Sequence, residues 1–384
     1  MSGSPRVSIL WNFIPPYHLS LLERLQARLG NLEVCISTCM EPNRRWEPKW
    51  DGLSVTVQKC WTQPTRWRHP QGFSDPVWRH FPYDTLWLLM KNRPRVVISA
   101  QLGFRTAQAA LYRRMFPRTR LIISAGLSEH TEEGLPAWRT LQRRALLMQA
   151  DAVLVNGASG RKYLVGLGVP HERIFLTPYC PEIARHLELP LQRPAELNRR
   201  LISIGQLIVR KGLLPFLDAL SGWLQRYTET SAEFWIAGDG TLRSELEGLS
   251  IPSRLRLRFL GDIPYEKLPG LYAQGGIFAF PTLADEWGVV VNEALAAGLP
   301  VLGSRYSQAV HELINDDVNG WTFRPDHPDE VYAALDRAMS SPDNQLGAMR
   351  SAARERVRSL TPQFGAECYA AAIDFALSSN NGHN

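Results

Sequence analysis

Apolar and polar positions along this chain switch repeatedly between two periods. Short apolar runs of strand length are followed by stretches with apolar residues three and four apart, the spacing of an amphipathic helix. In a first series the pattern predicts strands at 7–11, 32–37, 95–100, 121–124 and 152–155. Helices are predicted from Pro15-Pro16-Tyr17-His18 to about residue 29, after strand 95–100 through Met115, and at 136–148 and 159–167. A second series places strands at 201–204, 233–237, 255–260, 277–280 and 301–303. Its helices fall at 212–227, 242–249, 265–274 and 289–297, and then near 328–340, 343–360 and 363–378. Two successive runs of strand–helix units predict an α/β protein of two doubly wound, parallel-sheet, Rossmann-like domains facing a cleft. The expected division is an N-terminal domain over 1–185, a linker over 186–200 with no strong period, a C-terminal domain over 201–362, and a helix and tail over 363–384 that packs back on the first domain.

Composition agrees with a soluble, globular chain: 384 residues, 45% hydrophobic and 21% charged. The apolar runs are far shorter than the roughly 18–20 residues of a membrane helix. The first residues lead directly into a strand with no signal-peptide pattern, so a cytoplasmic location is expected. Five scattered cysteines are expected to be free buried thiols, since Cys35 and Cys39 lack the second pair a zinc site needs. The charge is uneven. Residues 1–190 hold 25 Lys/Arg against 14 Asp/Glu, and the remainder hold 18 against 23. The basic excess is interleaved with tryptophan at Arg44-Arg45-Trp46, Lys49-Trp50, Lys59-Cys60-Trp61, Arg66-Trp67-Arg68 and Trp78-Arg79. Indole and guanidinium together suit an anionic membrane surface, while solvated arginines over core tryptophans are the alternative. Nucleic acid is not expected, for no helix-turn-helix, zinc-finger or RNP-type pattern is present.

Candidate chemistry concentrates in Thr282-Leu-Ala-Asp-Glu-Trp-Gly-Val-Val-Val-Asn-Glu293. Gly288 permits close backbone approach, and the helix beginning there turns free N–H groups and its positive end toward a phosphate. Carboxylates beside a phosphate site suit hydroxyl groups, so Asp285 or Glu286, with Glu293, points to a nucleotide-sugar. Upstream, Gly205-Gln206-Leu-Ile-Val-Arg210-Lys211-Gly212 sets two cations and backbone amides at a helix mouth, where a diphosphate would dock. Gly238-Asp-Gly240 and Phe259-Leu-Gly261 add glycine at two further strand ends.

In this order and spacing, these motifs resemble the C-terminal half of a family 4 retaining glycosyltransferase with the GT-B fold. The resemblance is specific over about residues 200–325 and weaker in the first half, where Ala150-Asp-Ala-Val-Leu-Val-Asn-Gly157 is the main echo. It implies metal-independent transfer of a hexosyl group from a nucleotide-diphosphate sugar to a glycan or polyprenyl-phosphate-linked acceptor, in cell-surface polysaccharide synthesis, with no cofactor. Lys211, Asp285, Glu286, Glu293 and His130 would be the catalytic set. Gly205, Gln206, Arg210, Gly238, Gly261, Trp287, Gly288, Val289 and Val290 would bind the donor. His18 and Tyr17 would lie on the acceptor side, and no residues would bind a metal. The chain departs from the family at two points: Asp285 stands where a longer Glu is usual, and Gln206 stands where a basic residue is usual. No Gly-x-Ser-x-Gly elbow, zinc-protease helix or dinucleotide-binding Gly-x-Gly-x-x-Gly is present. The alternatives are another GT-B enzyme, such as a nucleotide-sugar epimerase or a phosphorylase-like enzyme, and a catalytically weak partner subunit. An enzyme of this kind meeting a lipid-linked acceptor would work at the inner face of a membrane.

Overall fold

The structure is a computed structural model and describes residues 5–44 and 50–378. Arg45, Trp46 and Lys49 of the basic, Trp-bearing stretch lie outside the described residues. By their contacts, two compact units emerge: Met1–Arg66, Pro76–Pro181 and Leu360–Asn384 form one, and Trp67–Asp75 with Glu182–Ser359 the other.

The first unit is built on a seven-stranded sheet. Its strands are β1 (Val7–Trp11), β2 (Leu32–Ile36), β3 (Val55–Val57), β6 (Val96–Ala100), β7 (Arg120–Ala125), β8 (Ala152–Val155) and β9 (Ile174–Leu176). They lie in the order β3-β2-β1-β6-β7-β8-β9, and every pairing is parallel. Helices α1 (Pro16–Leu29), α2 (Thr85–Asn92), α3 (Phe104–Met115), α4 (Ala137–Leu147) and α5 (Ala158–Gly166) accompany it. The second unit carries α6 (Ala184–Leu187) and a six-stranded parallel sheet, ordered β12-β11-β10-β13-β14-β15. These are β10 (Leu201–Ile204), β11 (Ala232–Ala237), β12 (Leu255–Gly261), β13 (Ile277–Phe280), β14 (Val301–Ser304) and β15 (Gly320–Phe323). Helices α7 (Leu213–Arg226), α8 (Arg243–Glu247), α9 (Leu268–Tyr272), α10 (Val289–Ala296), α11 (Gln308–Leu313), α12 (Pro328–Ser340) and α13 (Asp343–Val357) follow. The last helix, α14 (Pro362–Ser378), belongs to the first unit. Its Ala366, Tyr369, Ala372, Ile373 and Ala376 share one core with Ile9, Ile98, Ile122 and Leu154 of the first sheet.

All-parallel sheets covered on both faces favour nearly continuous apolar strands, and β1 (apart from Ser8), β8 and β13 are apolar and are buried at every position. Those strands match the predicted ranges residue for residue. The differences sit where one face is wet or the element is short. Residues 60–82 form a two-stranded sheet, β4 (Cys60–Arg68) and β5 (Ser74–Pro82), where no element was expected. Most of its positions are exposed or half-buried, so it lacks the apolar alternation that marks a strand. Strands β3, β9 and β15 and helices α2 and α11 also lay in stretches left without an element. The linker stretch carries the short helix α6 and a 3₁₀ turn at Ala195–Leu197. Of the five free cysteines only Cys35 and Cys180 are buried; Cys39 is exposed, and Cys60 and Cys368 are half-buried.

In each sheet the strand order reverses at one place: between β1 and β6 in the first, between β10 and β13 in the second. These topological switch points are where parallel sheets bind ligands, beyond the strands' carboxyl ends.

Candidate active site

At the second switch point a small cleft opens beyond β10, β11 and β13, lined by Gly205, Gln206, Lys211, Ala237, Phe280 and Pro281. Its floor is backbone against backbone. Gly238, at φ +125°, lies where an added Cβ would meet the Gly205 carbonyl oxygen at 1.9 Å, and its N–H donates to Gly261 at 2.7 Å. No side chain fits at Gly238, while Gly205 (φ +154°) and Gly261 (φ +68°) hold backbone conformations that side chains rarely adopt.

A 3₁₀ turn at Val209–Lys211 delivers the two cations. The Arg210 carbonyl accepts from Leu283 N (2.7 Å) and Thr282 Oγ1 (3.1 Å), and the Arg210 guanidinium donates to the Ala284 carbonyl (3.0 Å), which ties this turn to the loop before α10. Lys211 Nζ bonds Asp285 Oδ2 at 2.6 Å and lies 5.2 Å from the centre of the Phe280 ring. Arg210 reaches the same oxygen at 3.6 Å. Burial pulls the Asp285 carboxyl upward, but the Lys211 and Arg210 charges and the bonds from Lys211 and the Trp287 amide hold it below the ordinary range. Glu286, its neighbour, is exposed and turns its carbonyl to Gln308 Nε2 at 2.8 Å.

Trp287 is buried, with Nε1 donating to Asn292 Oδ1 at 2.7 Å. Its carbonyl accepts from Ala309 N at 3.0 Å and from Ser307 Oγ, so the loop before α10 is pinned to the start of α11. Gly288 caps α10 at φ +102°, with an added Cβ only 2.7 Å from the Phe280 ring. The first amides of α10, from Val289 and Val290, have no carbonyl one turn back to bond.

Glu293 is no solvated helix-face residue. It is 1% exposed, and Tyr272 donates to its Oε2 at 2.9 Å. Burial lifts its pKa to about 7 against the hydrogen bonds of Tyr272 and Tyr265. Buried His186 meets the Tyr272 ring edge-on at 5.3 Å, and burial lowers its pKa to about 4.

A carboxylate with no sequence signal completes the cation pair, beside the Trp67 of the basic, Trp-bearing run. Asp75, 5% exposed, binds Arg210 Nε at 2.6 Å, and the Arg210 guanidinium lies 5.6 Å from the Trp67 ring centre. Trp67, His69 and Phe73 form one aromatic knot, with the last two rings stacked at 4.9 Å. Each cation therefore meets a carboxylate.

The first unit holds the remaining candidates. His18 and Tyr17 open α1 together, and His18 packs against Trp11, Tyr17 and Tyr179 at 4.8–5.0 Å. Burial pushes the His18 pKa down to about 4, so the ring is neutral. His130, half-buried in the loop after β7, has Nδ1 3.5 Å from Glu133 Oε2. Thus Gly205, Arg210, Lys211, Asp285, Trp287 and Gly288 come together, while Glu293 sits in its own buried pair with Tyr272.

The family pattern described as glycosyl transferases group 1 matches residues 198–341, and the glycosyl transferase 4-like domain matches residues 14–180. This chain belongs to the group 1 glycosyl transferases. An uncharacterized glycosyltransferase of Methanocaldococcus jannaschii is 31% identical over 37% of the chain and 36% of its own length. The amylovoran biosynthesis glycosyltransferase AmsK of Erwinia amylovora is 27% identical over 55% of the chain and 53% of its own length. The chain therefore spans about a third to a half of these relatives. Among solved structures, Anabaena HepE in complex with UDP superposes with a TM-score of 0.72 at 15% identity, covering 96% of this chain and 99% of that one. The outer core galactosyltransferase WaaB gives 0.69 at 13% identity, covering 96% and 99%. At these identities the likeness establishes the GT-B fold.

Proposed function

We propose that this glycosyltransferase is a retaining, metal-independent hexosyltransferase of family 4. It moves a sugar from a nucleotide-diphosphate sugar to a glycan or polyprenyl-phosphate-linked acceptor in cell-surface polysaccharide synthesis. The observation that carries this reading is the meeting of Arg210, Lys211, Asp285 and the amino end of α10 at the second switch point. Cations and helix amides take the diphosphate; Asp285 rather than exposed Glu286 takes sugar hydroxyls; Glu293 takes the ribose. Gly205, Gln206, Gly238 and Gly261 give the nucleotide room against the backbone, and Trp287 fixes the donor loop. The acceptor hydroxyl attacks the anomeric carbon on the face the nucleotide leaves. The bond to the β-phosphate oxygen breaks, and that oxygen takes the acceptor's proton. Lys211 and the α10 amides stabilise the charge growing on it. Tyr17 and His18 are assigned to the acceptor side, and His130 to the catalytic set. In support, HepE binds UDP, and a Campylobacter jejuni relative, 25% identical over 62% of the chain and 68% of its own length, is named for an undecaprenol-diphosphate-linked acceptor.

Incubation with a panel of nucleotide-sugars tests the reading. The true donor at 100 times its dissociation constant adds about 2.7 kcal/mol of stability. Lys211→Ala lowers turnover about 100-fold, more than it weakens donor binding. No stabilisation and no sugar release with any donor would leave only the partner-subunit alternative.

The acceptor is reached at an anionic membrane surface on the cytoplasmic side. No helix among the described residues is long and apolar enough to cross a membrane. Helices α2, α3 and α4 contain no Asp or Glu; Arg113 and Arg143 pair with Asp151 and Glu132, and the helices also carry Lys91, Arg114, Arg139 and Arg144. Trp138 and Leu141 are 63% and 69% exposed, and only Leu147 of α4 is buried. Such a face suits an interfacial helix, at about 1 kcal/mol per cation near anionic lipid. Sedimentation with anionic vesicles and release at high salt is expected; equal or absent binding to neutral and anionic vesicles would remove the membrane from the reading.

A further inference from the structure

The first switch point, between β1 and β6, holds a charged group that the glycosyl-transfer scheme above leaves unused. Asn12 follows β1, Gln101 follows β6, and Asn12 Nδ2 donates to Gln101 Oε1 at 3.2 Å. Gln101 stands at φ +69°, a left-handed conformation rare outside glycine, whose cost of about 1–3 kcal/mol marks functional sites. Three residues on, α3 begins, and Arg105 in its first turn is 4% exposed. The Arg105 Nη2 donates to Asn12 Oδ1 at 2.7 Å and to Ser37 Oγ beyond β2, and Nε has no acceptor. Among the described residues no carboxylate pairs with it. Burial presses its pKa down only to about 10, so it is a cation at neutral pH.

A buried guanidinium normally has an anion beside it, because leaving the charge uncompensated costs several kcal/mol. Half-buried Arg113 has Asp151, Arg200 has Glu233 and Arg210 has Asp75; of the fully buried arginines, Arg120 lies 3.6 Å from Asp151, and Arg350, like Arg105, donates to an asparagine oxygen, but away from either switch point. Arg105 faces two neutral oxygens. It sits where a parallel sheet takes ligand, at the amino end of a twelve-residue helix whose free amides favour the same charge.

We propose that Arg105, with Asn12 and Gln101, forms an anion subsite that takes the phosphate or diphosphate of the acceptor. The inference rests on the phosphate-linked acceptor proposed above and names its anchor. The anion accepts from Arg105 and the Asn12 amide, and the acceptor's sugar extends from there.

Inorganic pyrophosphate titrated calorimetrically into Lys211→Ala protein reads this site, since that change weakens the other cation site. Measurable binding is expected. Adding Asn12→Asp sets a carboxylate against Arg105 at nearly unchanged shape, so the protein keeps its fold while the affinity falls at least 10-fold. Arg105→Met has the same effect if it folds. Farnesyl diphosphate in the same titration separates the sources: tighter binding than pyrophosphate assigns a lipid-linked anion, and equal binding a soluble phosphate. No pyrophosphate binding to Lys211→Ala protein, or unchanged affinity after Asn12→Asp, overturns the subsite. Neither readout needs turnover, so failure of the glycosyl-transfer reading shows separately, as absence of sugar release from any donor.

Discussion

The two parallel sheets share an architecture and differ in what stands at their strand ends. In the second, Gly205 and Gly238 directly follow β10 and β11 and Gly261 ends β12, and the floor of the cleft at Gly238 is bare backbone. In the first, β1, β2 and β6 are followed by Asn12, Ser37 and Gln101, whose side chains meet one another and Arg105 there. A diphosphate carried by every donor of a class can be met by amides and a few cations. An acceptor differs from enzyme to enzyme, and side chains are what vary. The first sheet's opening loop reinforces the contrast: Pro15 and Pro16 make a rigid wall beside His18 where an anion cradle would need glycine.

The largest test of this contrast is steric. Gly238→Ala forces a Cβ onto the Gly205 carbonyl and a positive φ on alanine, costing about 4 kcal/mol and the donor site with it. Gly166→Ala in the first unit meets nothing within 4 Å and changes stability by about 1 kcal/mol or less, toward stabilisation. Urea denaturation of both variants checks the pair; equal losses would mean that the glycine floor is not special.

Glu293 comes next. Its folded pKa of about 7 lies above the ordinary carboxyl value of 4.5. The buried acid therefore favours the fold below about pH 4.5, and that advantage is lost as pH rises through about 7. The shift corresponds to roughly 3 kcal/mol. Glu293→Gln is accordingly expected to be neutral at pH 4.5 and to gain up to about 3 kcal/mol at pH 8, while transfer falls about 10- to 100-fold with the lost charged hydrogen bond. Denaturation at the two pH values and a transfer assay read both signs. Unchanged transfer would remove Glu293 from the donor site.

The smallest effect belongs to Asp75. Asp75→Asn keeps shape but weakens the bond to Arg210, costing about 1–2 kcal/mol of stability and freeing the guanidinium for phosphate. Donor affinity is expected to rise about threefold, measured by calorimetry. A fall instead would show that Asp75 orients Arg210 rather than competing with phosphate.

The sequence by itself determined most of the strand–helix alternation and the local runs from which the second unit's candidate site is built. Buried parallel strands read as nearly continuous apolar runs, and a backbone-built phosphate cradle needs glycines, cations and a helix start at fixed short spacings. Gly205 to Lys211 and Asp285 to Glu293 are such local runs, so they could be read in order. Tertiary structure alone decided the rest. Asp285 faces Lys211 and Glu286 faces out, a choice between neighbours that spacing left open. Asp75 lies 135 residues from Arg210, and Tyr272 21 from Glu293, with no motif joining either pair. Arg105 looked like any helix arginine until folding set it 93 residues from Asn12 in sequence and 2.7 Å away in space. Periodicity and close motifs report what the backbone must do nearby. Pairing between distant side chains depends on which strand ends the sheet brings together, and only the folded chain fixes that order.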